Sequence, residues 1–383
     1  MKSQTIHIYE RILNIFILFI LIELSQSFIS FNYPYGLTLS NGNILVIHQK
    51  GISITNKYST KILKNVIIFS ENEEITSETS LSKIATAFEY EYVISIINDK
   101  IYIFDENGTF LYNDTDKILS SGETAEVYAL VPIKKDNIYY HYVIGYIHNR
   151  LLYFLYYKYE FSNKINSLIT YRKGEKHKQY NSYRAYITSF YIENKALSCQ
   201  YIKDADNYLA LVCFFVIIKS SKYNVVSDYF LIEEDGISMH EEFVPDYYEM
   251  NYNITCIKTA ISPDLSKILV GMYSSTGIPY FFIYDSYFQL QYRLLYFQNS
   301  HCRNQYHGLK VNYYKEKQEY IFSCIDDNGK ILVEFFKSNL TNYNYTFKYS
   351  NCENIYGYSI LFINNNQKYY ILSAVDCNGI ISF

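Results

Sequence analysis

The stretch Ile101–Asn113, IYIFDENGTFLYN, is an alternating apolar run, a polar turn closing on Gly108, and a second short run. Alternation with period two marks a β-strand with one face buried, and Asp-Glu-Asn-Gly is turn composition. The same form returns as YFLIEEDGISMH from Tyr229 and as YFFIYDSYFQLQY from Tyr280. Each stretch closes a larger unit: an apolar strand, a polar turn, a strongly apolar strand, a second turn, and a third strand leading into a fourth.

Seven such units read along the chain. Their first turns are LSNGN at Leu39, EYE at Glu89, KKDN at Lys134, KDADN at Lys203, SPDLS at Ser262, KEKQ at Lys315 and NNNQ at Asn364. The strands that follow are ILVIH, YVISII, YVIGYI, YLALVCFF, ILVGMY, YIFSC and YYILSA, and the second turns begin at His48, Asn98, His148, Lys219, Ser274, Asp326 and Asp376. With Val46, Ser95, Gly145, Val212, Val270, Phe322 and Leu372 as markers, the steps are 49, 50, 67, 58, 52 and 50 residues. Periods of roughly 40 to 50 residues with several strands each are the pattern of β-propeller blades, which are unstable singly and bury their faces by packing around an axis. The expected fold is all-β: a seven-bladed β-propeller of four-stranded antiparallel blades spanning residues 28–383.

The chain resembles seven-bladed propellers across nearly all of that span. Turns such as SNGN at Ser40 and DENGTF at Asp105 resemble those of secreted NHL-type propellers, while the Gly-His and Trp-Asp marks of WD repeats and the double glycine of kelch blades are missing. Asn-Gly and Asp-x-x-Gly serve any tight hairpin, so no family chemistry is carried over to a residue.

Lys2 and Arg11 precede the apolar run Ile12–Ile22, and Ser25-Gln26-Ser27 then offers small residues for cleavage, so residues 1–27 read as a signal peptide. The run is shorter than the roughly 20 apolar residues that span a bilayer, and no membrane span is expected in the mature chain. Sequons begin at Asn107, Asn113, Asn253, Asn339 and Asn344, which fits a glycosylating, secreted or cell-surface route. The seven cysteines all lie in the second half of the chain. Hairpin centres near Ala205 and Asn365 bring Cys199 towards Cys213 and Cys352 towards Cys377; Cys302 with Cys324 is the third expected bridge, and Cys256 is left over. In the seventh unit a fourth strand is missing, and the alternating Phe28–Asn32 (FISFN) is expected to supply it beside Gly379–Phe383, closing the ring.

A net charge of -4 on 383 residues gives no reason to expect a nucleic-acid partner. The 46 tyrosines are read mainly as strand-compatible drift, and the absence of Trp removes the usual sugar-stacking platform of sugar-binding propellers. No nucleophile elbow, zinc helix or phosphate loop is present, and His301, Cys302 and His307 lack a second metal-binding pair. No cofactor and no metal site are expected. Candidate binding residues are those that the second turns place on one face: His48, Asn98, Asp99, His148, Arg150, Asp326 and Asp376. Polar turns have the same composition when they are merely solvated. The long steps mark a basic link, Lys158–Arg184, and an acidic one, Glu233–Glu249, which read as lengthened loops on a rigid scaffold. The function these features point to is recognition of a protein partner through one propeller face. The alternative is a lactonase-like hydrolase with a metal in the central channel.

Overall fold

The computed structural model describes the strands and many of the tight turns between residues 35 and 382; residues 1–34, the links 57–61, 70–83, 114–123, 136–138, 162–167, 172–177, 181–189, 204–208, 240–245, 286–289, 296–308, 315–317, 326–330, 338–341, 348–358 and 375–380, and some turn positions of one or two residues lie outside the description. Every described element is a strand, and every pairing is antiparallel.

Seven sheets follow one another in chain order among the described residues. The first runs β1 (Tyr35–Thr38), β2 (Ile44–His48), β3 (Gly51–Thr55), β4 (Ile62–Ile68), and the second β5 (Ala85–Glu89), β6 (Tyr92–Ile97), β7 (Lys100–Asp105), β8 (Phe110–Asn113). The third holds β9 (Val127–Lys135), β10 (Tyr139–His148), β11 (Leu151–Phe161), β12 (Leu168–Tyr171) and β13 (Lys178–Tyr180). The fourth holds β14 (Phe190–Lys203), β15 (Leu209–Lys219), β16 (Lys222–Glu233), β17 (Gly236–Met239) and β18 (Asp246–Met250). The fifth is β19 (Ile254–Ile261), β20 (Lys267–Ser274), β21 (Pro279–Asp285), β22 (Leu290–Leu295), and the sixth β23 (Leu309–Tyr314), β24 (Glu319–Ile325), β25 (Ile331–Lys337), β26 (Asn342–Phe347). The seventh is β27 (Ser359–Asn365), β28 (Lys368–Ala374) and β29 (Ile381–Ser382).

The seven sequence markers fall one each on β2, β6, β10, β15, β20, β24 and β28, the second strand of every sheet. Where their side chains are described, on β2, β6, β10, β15, β20 and β24, these strands are buried on both faces, which is why they read as continuous apolar runs. In β15, Leu211, Cys213, Phe215 and Ile217 join the core shared with the third sheet, while Ala210, Val212, Phe214 and Val216 join the core shared with the fifth. Four more side chains of β6 divide in the same way, Val93 and Ile97 towards the first sheet, Ile94 and Ile96 towards the third. Each core is thus a slab between consecutive sheets. Aromatic pairs bridge the slabs, Phe154 to Phe230 with ring centroids 4.6 Å apart and Phe281 to Phe322 at 3.8 Å.

First strands lie beside first strands: β5 against β9, β9 against β14, β14 against β19, β19 against β23, and β23 against β27. Contact of β27 with β1 brings the last sheet beside the first, so the succession of sheets closes on itself. Phe28–Asn32 lies outside the described residues, as do Cys302, Cys352 and Cys377.

The opening stretch is the third and fourth strands of the second sheet. Its turn is built by Asp105, whose Oδ1 accepts from the amides of Asn107 (2.9 Å) and Thr109 (2.7 Å). Gly108 has φ +72°, and a Cβ there would lie 2.7 Å from Val66 Cγ2 of the first sheet, so the turn needs glycine for both conformation and space. That geometry is a local Asx turn and explains DENG without reference to any family.

The two long links are more structured than lengthened loops. The third strands of their sheets, β11 and β16, have 11 and 12 residues, enough to pair two short outer strands each. Thus β12 pairs Lys158–Phe161 and β13 pairs Leu152–Phe154, while β17 pairs Phe230–Glu233 and β18 pairs Tyr223–Ser227. The extra residues extend the sheets outward, and the basic and acidic segments are carried on or between these outer strands.

Candidate functional site

Of the turn residues expected to form a face site, the described ones are engaged in holding the turns. Asn98 and Asp99 have φ of 50° and 64°, the left-handed pair of a two-residue hairpin turn, which Asn and Asp tolerate. Asp99 is buried and accepts a hydrogen bond from the Tyr128 hydroxyl, bracing the second sheet to the first strand of the third. His148 Nδ1–H donates to the Thr124 carbonyl at 2.8 Å, and its Nε2 accepts from Asn149 Nδ2 at 2.8 Å. His48 accepts from the Lys50 amide at Nδ1 (3.3 Å) and donates from Nε2 to Ser53 Oγ (2.9 Å), which in turn donates to Asn65 Oδ1 (2.8 Å). Burial first, then the Lys50 charge, lowers the His48 pKa from 6.5 to about 4. Arg150, Asp326 and Asp376 lie outside the described residues.

Chemistry converges instead on the axis. A cavity of about 290 Å3 is lined by residues of β5, β9, β14, β19 and β23, the first strands of five consecutive sheets. Its polar lining comprises Thr86, Ser198, Gln200, Lys258, Thr259 and Asn312. Tyr128 also lines it, so Asp99 has a part in shaping the channel after all, by fixing the tyrosine in its wall. Adjacent walls are tied together: Ser198 Oγ and Thr259 Oγ1 are 2.8 Å apart, and Gln200 Nε2 donates to the Thr259 carbonyl at 3.1 Å. Within the second sheet Ser95 donates to Thr86 Oγ1 at 3.3 Å.

Lys258 stands in the middle of β19, ITCIKTAI. Desolvation lowers its pKa, opposed in part by the Cys256 thiol, which is itself buried. The turn-based reading missed all of these groups except Tyr128's partner, Asp99. The available signal was a lysine interrupting an apolar first strand. Among the described residues no group of three His, Cys, Asp or Glu side chains is placed to hold a metal ion.

One wall of the channel is cross-linked to its own second strand. Cys199, which lines the cavity, faces Cys213 directly in the β14–β15 register, and the two form a disulfide. Cys324 is also disulfide-bonded. Among the described residues no helix is long and apolar enough to cross a membrane.

No family model matches the chain, and no curated protein matches it. Solved structures that resemble it include Saccharomyces cerevisiae Sqt1, with TM-score 0.48, 12% identity, and 93% of this chain and 96% of that one covered. The six-bladed β-propeller lectin of Aleuria aurantia gives TM-score 0.47 at 9% identity over 82% of this chain and 96% of its own. A putative 6-phosphogluconolactonase from Bacteroides uniformis gives 0.43 at 10% over 90% and 89%. Residue roles do not transfer at such identities, and the NHL-type likeness of the turns finds no family behind it. The fold rests on the chain's own layout: successive up-and-down antiparallel sheets, packed face to face with first strands around a shared channel, are a β-propeller.

Proposed function

We propose that the chain is a seven-bladed β-propeller acting as a non-catalytic recognition domain, secreted or held on the outer face of the cell, that engages a protein partner through one face of the ring. The observation that carries this reading is the donor set of the axial channel. Hydroxyls, two carboxamides and an ammonium form hydrogen bonds and attract negative charge, whereas a divalent ion would be repelled by Lys258 and would find no carboxylate among the described lining residues. That set disfavours the lactonase-like alternative, which calls for a channel metal.

The Cys199–Cys213 bridge supports an oxidising compartment, in keeping with a signal peptide at 1–27. Of the two sequon asparagines with described side chains, Asn107 is the better placed to carry a glycan, exposed at the tip of its turn. Asn253 is the less well placed of the two, since its Oδ1 is buried. Phe28–Asn32 completes the seventh blade, whose described strands number three and whose first strand abuts β1.

The test is secretion from a eukaryotic host, followed by elemental analysis and a lactone-hydrolysis panel. A mature N-terminus at Phe28, metal well below one equivalent and no hydrolysis are expected. A stoichiometric divalent ion, or turnover of any lactone, refutes the recognition reading.

A further inference from the structure

Not all of the channel's polarity is spent on closing the ring. A first strand needs side chains that meet the backbone groups of its open edge, and Gln200 does this for the Thr259 carbonyl. Asn312 on β23 does not: it lines the same cavity, and among the described residues its carboxamide has no hydrogen-bond partner. Other lining groups keep bonding capacity as well. Thr86 Oγ1 accepts from Ser95 and retains its own O–H, the Ser198–Thr259 pair uses one O–H and leaves the other, and Gln200 keeps one N–H and its carbonyl. These donors and acceptors stand on β5, β14, β19 and β23, so a molecule in the channel meets them from several sides.

We propose that the axial channel binds a small neutral polyol, a ring carrying several hydroxyls such as a cyclitol or a monosaccharide. A hydroxyl both donates and accepts, which suits walls that offer both. A carboxamide side chain of a partner would bring its polar atoms at one end and leave the remaining walls unmet. Neutrality follows from the lining: it holds no carboxylate among the described residues, and its one cation, Lys258, already interacts within the protein. Between the polar groups Leu130, Leu309 and Val311 offer apolar surface to ring C–H groups.

Size limits the ligand further. At roughly 30 Å3 per water, a cavity of about 290 Å3 holds on the order of ten waters, room for a single six-membered ring with its hydroxyls and not for a chain of them. The polyol arrives either as a free molecule or as the terminal residue of a glycan. This rests on the non-catalytic reading above and adds a small ligand to it.

Saturation-transfer NMR of the secreted full chain with myo-inositol, D-glucose, D-galactose, D-mannose, the methyl glycosides of the three sugars, and cyclohexanol separates these sources. At least one polyol is expected to bind saturably and at least about tenfold more tightly than cyclohexanol, which has the ring and a single hydroxyl. Asn312→Leu, which removes a side chain that braces nothing among the described residues, should weaken that polyol about tenfold, the loss of two hydrogen bonds. A methyl glycoside binding as tightly as its sugar assigns the site to the end of a glycan; loss on glycosidation, or binding of inositol alone, assigns it to a free molecule. No polyol binding up to about 10 mM, or equal affinity of wild type and Asn312→Leu, overturns the proposal. Should Asn312→Leu fail to fold, Thr86→Val decides: it removes one hydroxyl at nearly unchanged shape, about a threefold loss is expected, and equal affinity overturns the site. Metal content and lactone turnover are measured separately, so failure of the non-catalytic reading is distinguishable from failure of the polyol site.

Discussion

His48 makes the stability of the first sheet depend on pH in a way that one substitution isolates. Its Nδ1 accepts the Lys50 amide and its Nε2–H starts the chain through Ser53 to Asn65, so the imidazole is neutral. A second proton must go onto Nδ1, against a backbone N–H and in a half-buried site, and the pKa falls from 6.5 to about 4. The unfolded chain takes up this proton near the ordinary value, the folded chain only near the lowered one. Below about pH 6.5 the unfolded state therefore binds more protons, and stability is lost as pH falls, reaching a plateau below about pH 4. At about 1.4 kcal/mol per unit, the plateau loss is about 3 kcal/mol, of which about 2 kcal/mol has gone by pH 5. His48→Gln keeps an amide donor towards Ser53 and cannot titrate. Urea denaturation of both proteins at pH 7, 6, 5 and 4.5 should show the wild type losing about 2 kcal/mol more than the variant between pH 7 and 5. In a chain of this length that is a thermal shift of roughly 2 to 3 °C. Carboxylate titrations are common to both proteins and cancel. Parallel pH profiles would refute the neutral, hydrogen-bonded imidazole.

Replacing Cys199 and Cys213 together with Ala opens a cross-link spanning 14 residues and should cost about 3 kcal/mol, read from the urea midpoint. Reductant, which also opens the bridge at Cys324, should shift the wild type by at least as much; a midpoint unchanged by the double substitution would contradict the Cys199–Cys213 bridge. Gly271→Val places a Cβ 2.6 Å from Val311 Cγ2 and 2.9 Å from Phe322 Cδ2, where the fifth and sixth sheets meet. A loss of about 1 to 3 kcal/mol is expected, and an unaltered denaturation midpoint would show that these sheets do not pack as described.

The fold was legible because its signals are local and repeated. LALVCFFVII is a run buried on both faces, and the same pattern at a step of about 50 residues locates the second strand of every sheet. Hairpin arithmetic also sufficed for Cys199 and Cys213, since register within a tight hairpin depends only on its centre. The long links were harder to read. YRKGEKHKQY gives no alternating pattern, and its outer strands β12 and β13 exist because β11 is long enough to hold them. The candidate site was least legible. Thr86, Gln200, Lys258 and Asn312 lie on four different sheets, and only packing of the sheets around a common channel brings them together.

That same packing gives the described turn residues a structural part. Asn98 and Asp99 take the left-handed turn conformation, Asp99 also binds the second sheet to the third through Tyr128, and His148 ties its turn to the Thr124 carbonyl at the entry to β9. First strands are in a different position. Each of β5, β9, β14, β19 and β23 pairs with its own sheet on one side only, leaving its other edge towards the channel. Backbone groups on that edge need partners from side chains or water, as the Thr259 carbonyl finds one in Gln200. A ring of sheets thus requires a polar axis for structural reasons alone. Hydroxyls and carboxamides meet that requirement fully. Lys258 adds to that lining the one cation among the described lining residues.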